Sequence, residues 1–203
     1  GSGDDSIVLN ATELSLNQVR FGTGNDTIRV VTASDTDTIG VDSTIGGNKL
    51  VVYSAAVTSA SVVGGSGNDS IIFNKAITSA SVLGGVGNDS ITFVSDFIGS
   101  IASADAGTDV LLFSSKLSSS AVYGGADTDT LTFNSSILGS TIDFGAGNDS
   151  LLFTNTFSAS TLHGQAGDDT VVFNSSATVQ VSRINAGAGN DSITLNKALT
   201  SGS

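Results

Sequence analysis

The chain has 203 residues, no Cys, no Pro and one His, and its formal net charge is −12. Thiol chemistry and disulfide staples are therefore excluded, and the charge disfavours nucleic acid and anionic membrane surfaces while favouring cations. No apolar run approaches the roughly 20 residues needed to span a bilayer.

Taken in order, the chain is one unit repeated. It opens in a turn, GSGDDS, with Ile7 and Leu9 in apolar positions, and no signal peptide is visible. GGSGNDSIIF at Gly64–Phe73 returns as GGVGNDSITF at Gly84–Phe93. Glycines that tolerate φ > 0 make a tight turn, and alternating apolar residues then make a strand. The Asp of each turn marks the register: Asp5, Asp26, Asp69, Asp89, Asp109, Asp129, Asp149, Asp169 and Asp191, with Lys49 in the equivalent place of IGGNKLVVY. From Lys49 to Asp169 each step is 20 residues; the outer steps are 21, 23 and 22. A fixed period of this size predicts stacked coils, because one such unit cannot bury its own apolar face.

The expected fold is all-β, a parallel β-roll or β-solenoid of about ten coils of roughly 20 residues each, forming one domain over 1–203. Residues 1–48 read as irregular coils with an insertion at SDTDTIGVD (Ser34–Asp42), 49–186 as regular coils, and 187–203 as a final incomplete coil. Four columns should face inward. One runs Ile71, Ile91, Leu111, Leu131, Leu151, Val171, Ile193; a second runs Phe73, Phe93, Phe113, Phe133, Phe153, Phe173, Leu195, a ladder of rings. The third runs Val57, Ile77, Phe97, Leu117, Ile137, Phe157, and the fourth Val62, Val82, Ala102, Val122, Ile142, Leu162. Each unit thus reads as two short strands and two turns. Residues between the first two columns, such as Ile72, Thr92 and Leu152, read as β-branched and apolar filler of the outer face, with a contact surface as the alternative.

Stacking puts the marker carboxylates one strand spacing apart, about 4.8 Å. Two such charges repel by about 3 kcal/mol at an effective dielectric near 20. A hard divalent cation between successive turns removes that cost. Ca²⁺ suits a site of carboxylates and backbone carbonyls in flexible geometry better than Mg²⁺ does. No His or Cys cluster exists for zinc or a redox metal. Lys49 cannot ligate a cation; its ammonium is placed to neutralise neighbouring carboxylates instead.

GGSGNDSII and GGVGNDSIT resemble GGxGxDxUx, the calcium-binding nonapeptide of the RTX (repeats-in-toxin) family. The resemblance covers nearly the whole chain. It implies a parallel β-roll, calcium-dependent folding, and a secreted or cell-surface location. It also carries a metal-binding role onto Asp5, Asp26, Asp69, Asp89, Asp109, Asp129, Asp149, Asp169 and Asp191. There are departures from the pattern. One nonapeptide occurs per coil, so ions are expected along one edge, and the opposite Ser/Asn/Thr edge must hold itself by hydrogen bonds. Asp105, Asp127 and Gln165 stand where Gly would be. Counting steps with Asp on both sides predicts about seven calcium ions.

The reading that follows is a calcium-dependent structural segment of a surface-layer, adhesin or extracellular-filament protein, self-associating end to end or continuing into further repeats, since neither end shows a polar cap. An RTX secretion or folding domain of a toxin or protease is the alternative. An enzyme is not expected, because His163 has no partner constellation and the seven Lys and Arg are too scattered for a β-helix polysaccharide lyase. An ice-binding face would need Thr beside the Asn column, and only Thr23 in that position is Thr.

Overall fold

The corner that follows Thr78 shows how the coil closes. Ser59, Ser79, Gly99, Ser119, Gly139 and Ala159 stack there, each with φ between 49° and 57°. A single left-handed residue turns the chain sharply between two strands. The computed structural model describes residues 2–10, 19–20, 23–31, 41–42, 47–54, 56–180 and 182–197, with the backbone alone at 9, 19, 20, 41 and 42. It is a right-through parallel solenoid in which every coil pairs with the next.

Each regular coil has three strands, not two. The coil of Gly64–Gly84 runs through Ser70–Phe73, Ile77–Thr78 and Ser81–Val86. Among the described residues these strands stack into a ten-stranded sheet, from Ser6–Leu9 to Ser192–Leu195, and two seven-stranded sheets. Val19–Arg20 pairs separately with Val41–Asp42. The two-strand expectation is corrected here: the third and fourth apolar columns lie on different faces. Ile77–Thr78 is only two residues long, too short to show alternation in the sequence.

The register is the predicted one. Phe93 pairs with Phe73 and Phe113, and Asp26 with Lys49. Residues of the four columns from Val51 to Phe173 are almost wholly buried. The Phe rings stack at centroid distances of 5.3, 4.5, 5.1, 5.0 and 4.5 Å from Phe73 to Phe173, and Tyr53 extends the ladder below Phe73 at 4.7 Å. Phe97 and Phe157 meet it edge-on. Each such pair adds about 0.5–1.5 kcal/mol beyond the area it buries. A fifth inward position, two residues after the fourth column, carries Ala104 and Phe144, both fully buried, where other coils have Gly64, Gly84, Gly124 and Gly164. The sequence columns did not include it.

The edge opposite the Asp turns is held by serines. Ser100, Ser120, Ser140 and Ser160 are buried. The backbone N–H of Ser100 donates to Ser120 Oγ at 3.1 Å, Ser120 to Ser140 at 3.2 Å, and Ser140 to Ser160 at 3.1 Å. Each hydroxyl in turn donates to a carbonyl two residues back, as Ser120 does to Ser118 at 2.8 Å. This is the hydrogen-bonded edge that the sequence called for. Of the insertion Ser34–Asp42, residues 34–40 lie outside the described residues.

Candidate metal centre

The Gly-Asn-Asp turn feeds straight into the strands of the ten-stranded sheet, so its last residue points inward while the Asn points out. Asp26, Asp69, Asp89, Asp109, Asp129, Asp149 and Asp169 are each at most 2 % exposed. Asp191 is half-buried and Asp5 exposed. The nine marker aspartates therefore form one column, buried through its length and open at its two extremes.

One oxygen of each carboxylate from Asp26 to Asp191 is used by the chain. The N–H of Asp69 donates to Asp89 Oδ1 at 2.7 Å, that of Asp89 to Asp109 at 2.6 Å, of Asp109 to Asp129 at 2.9 Å, and of Asp129 to Asp149 at 2.7 Å. The ladder continues through Asp169 to Asp191, and at the other end Asp5 N–H donates to Asp26 Oδ1 at 2.9 Å. The sequence reading did not anticipate this ladder. The Asn column makes a parallel one outside: Asn88 N–H donates to Asn68 Oδ1 at 2.8 Å and Asp168 N–H to Asn148 Oδ1 at 2.8 Å. Those Asn oxygens are therefore committed to the neighbouring coil.

The other oxygen is not used. Oδ2 of Asp69, Asp89, Asp109, Asp129, Asp149 and Asp169 is buried with no hydrogen-bond partner. A buried, unpartnered charged oxygen is costly, and six in a row favour either protonation or a compensating cation. Burial is the main reason the carboxyl groups of Asp89 and Asp129 are pushed up to about 7, and those of Asp69, Asp109 and Asp149 to about 6. Neighbouring carboxylates push Asp89 and Asp129 further the same way, and the donated backbone N–H opposes. Asp169 is raised for the same first cause.

The glycines make room for these oxygens. A Cβ on Gly64 would stand 2.6 Å from Asp69 Oδ2 and would also strike Gly84 O; one on Gly84 would stand 2.5 Å from Asp89 Oδ2 and 2.6 Å from Ala104 O. Carboxylate oxygen and main-chain carbonyl thus converge on one space between coils. Asp105, Asp127 and Gln165 take φ of 77°, 74° and 67°, so the turn keeps its left-handed geometry without Gly.

One step of the column contains a cation. Lys49 Nζ lies 3.1 Å from Asp26 Oδ2, 3.1 Å from Gly24 O and 3.1 Å from Gly47 O. The ammonium stands in for a cation bound by one carboxylate and the carbonyls of two successive turns. By the register, the equivalent groups in the following coils are, for example, the carbonyls of Gly67 and Gly87 and the carboxylate of Asp69. These are hard oxygen donors suited to Ca²⁺. Among the described residues no three His, Cys, Asp or Glu side chains converge as a metal cluster, so any ion here leans on main-chain carbonyls. His163 lies apart from the column, on the seven-stranded sheet that contains Ser81–Val86, between Asp143 and Asn185.

The family model of the RTX calcium-binding nonapeptide repeat (4 copies) matches residues 157–176 and 182–197. The resemblance to RTX repeats thus rests on a match that contains Asp169 and Asp191, and these continue the register of the preceding coils. Neither a curated protein nor a solved structure matches the chain.

Proposed function

We propose that this chain is a calcium-stiffened structural segment of a secreted or cell-surface protein, of the surface-layer, adhesin or filament kind. Asp5, Asp26, Asp69, Asp89, Asp109, Asp129, Asp149, Asp169 and Asp191, with the turn carbonyls, are the groups that would hold the ions, along one edge. The observation that carries this reading is Lys49, whose ammonium sits among Asp26 Oδ2 and the Gly24 and Gly47 carbonyls, while six other coils keep a buried oxygen of the same kind unpartnered. Calcium would supply the positive charge that these carboxylates lack, so folding and metal binding would be one event.

Circular dichroism and thermal melting of the chain in calcium and in excess chelator test this. A β spectrum and a raised melting temperature in calcium are expected, with about seven ions bound. Identical melting in both conditions would reject it.

End-to-end association belongs to the same proposal. Ile193 and Leu195 occupy inward columns yet are 39 % and 38 % exposed, and Ser192–Leu195 has a partner strand on one side only among the described residues. A further coil, from the same chain or a second copy, would cover them. Light scattering with and without calcium should show growth only with it.

A further inference from the structure

We infer that Lys49 is a built-in cation that closes one step of the carboxylate column without metal and keeps calcium out of that step. The calcium half of this inference rests on the function proposed above; the metal-free half does not.

Lys49 pairs with Asp26 in the ten-stranded sheet, in the place that Asp takes in the other coils. A lysine there has an easy escape, since its long stem lets the ammonium reach solvent. It does not take it. Lys49 is 1 % exposed, and Nζ turns back to the coil of Asp26. There it donates hydrogen bonds to Gly24 O and Gly47 O at 3.1 Å each and forms an ion pair with Asp26 Oδ2 at 3.1 Å. A buried ammonium is tolerable when its charge is paired and its donors are used; here Asp26 supplies the opposite charge and the two carbonyls accept hydrogen bonds.

Two consequences follow. The ammonium fills the space and supplies the charge that an ion would bring between the coils of Asp26 and Lys49. The next step, between Lys49 and Asp69, lacks a carboxylate on one side; Asp69 Oδ1 accepts the Lys49 N–H at 2.7 Å, whereas the Asp26 N–H, facing Lys49, donates to Asn48 O at 3.1 Å. Calcium is thereby excluded from the first of these steps and disfavoured in the second. Conversely, Asp26–Val30 and Lys49–Tyr53 stay clasped when metal is withdrawn. They form a calcium-independent start beside the coils whose carboxylates repel.

The test has two arms, both on the full chain. In the first, amide hydrogen exchange is followed in excess chelator at neutral pH. Amides of Asp26–Val30 and Lys49–Tyr53 should exchange about tenfold more slowly than those of Thr130–Phe133 and Ser150–Phe153, and K49M should abolish the difference. Equal or faster exchange in the wild-type clasp overturns the inference. In the second, equilibrium dialysis counts calcium bound to the wild type and to K49D. The variant should gain roughly one to two ions per chain. An unchanged count, or a K49D chain that calcium cannot fold, also overturns it. If the wild type binds no calcium at all, the function proposed above fails, while the exchange arm still decides whether the clasp exists.

Discussion

The backbone N–H of Asp109 donates to Oδ1 of Asp129 at 2.9 Å, while Oδ2 of the same carboxylate is buried without a partner. One side chain thus plays two separable parts: a neutral acceptor that holds two coils together, and a charge that drives them apart when no cation is present. Asn separates the two parts. D129N keeps an acceptor oxygen for Asp109 and removes one charge between Asp109 and Asp149. We expect D129N to raise the melting temperature in chelator and to lower it in calcium. D129A should lower both, because it strands the Asp109 N–H at a cost of about 1–3 kcal/mol. Loss of stability for D129N in both conditions would mean that charge repulsion does not limit the metal-free fold.

Acid should stabilise the metal-free solenoid. In the unfolded chain these carboxyls titrate at about 3.9. In the fold, burial raises Asp89 and Asp129 to about 7 and Asp109 and Asp149 to about 6. Between those limits the folded state binds more protons than the unfolded one, so stability falls as pH rises and levels off above the folded values. Melting in chelator should therefore be highest near the acid end of the window from about pH 4 to about pH 7. Calcium should reverse the slope, because protons compete with the ion for the same oxygens. A chelator melting temperature that rises with pH across this window would contradict the assigned burial of the column.

The serine edge is predicted to matter without reference to metal. S120A removes the acceptor of the Ser100 N–H and the donor to Ser118 O. Its cost should be about 1–3 kcal/mol and the same in calcium and in chelator. Urea denaturation in both buffers measures it. A loss confined to the calcium form would show that the two edges are coupled rather than independent.

Contacts between coils were legible in the sequence, and contacts within a coil were not. The 20-residue period alone placed Phe93 between Phe73 and Phe113, and Asp129 between Asp109 and Asp149, because a parallel solenoid stacks each residue on its own repeat. The turn motif likewise placed the acids on one edge, and a Lys in the Asp column was readable as a charge substitution. The three-sided shape was not readable, since it depends on a left-handed corner where only Gly99 and Gly139 are glycine and Ser79, Ser119 and Ala159 are residue types that do not announce φ > 0. Nor was the division of labour within each carboxylate, or the fifth inward position at Phe144. Those depend on where side-chain atoms land after three corners have brought distant parts of one coil together. The direction taken by Lys49 is of the same kind. Periodicity determines which residue lies above which. Only the closed coil decides which way a long side chain turns, because only there do the Gly24 and Gly47 carbonyls and Asp26 Oδ2 meet around one ammonium.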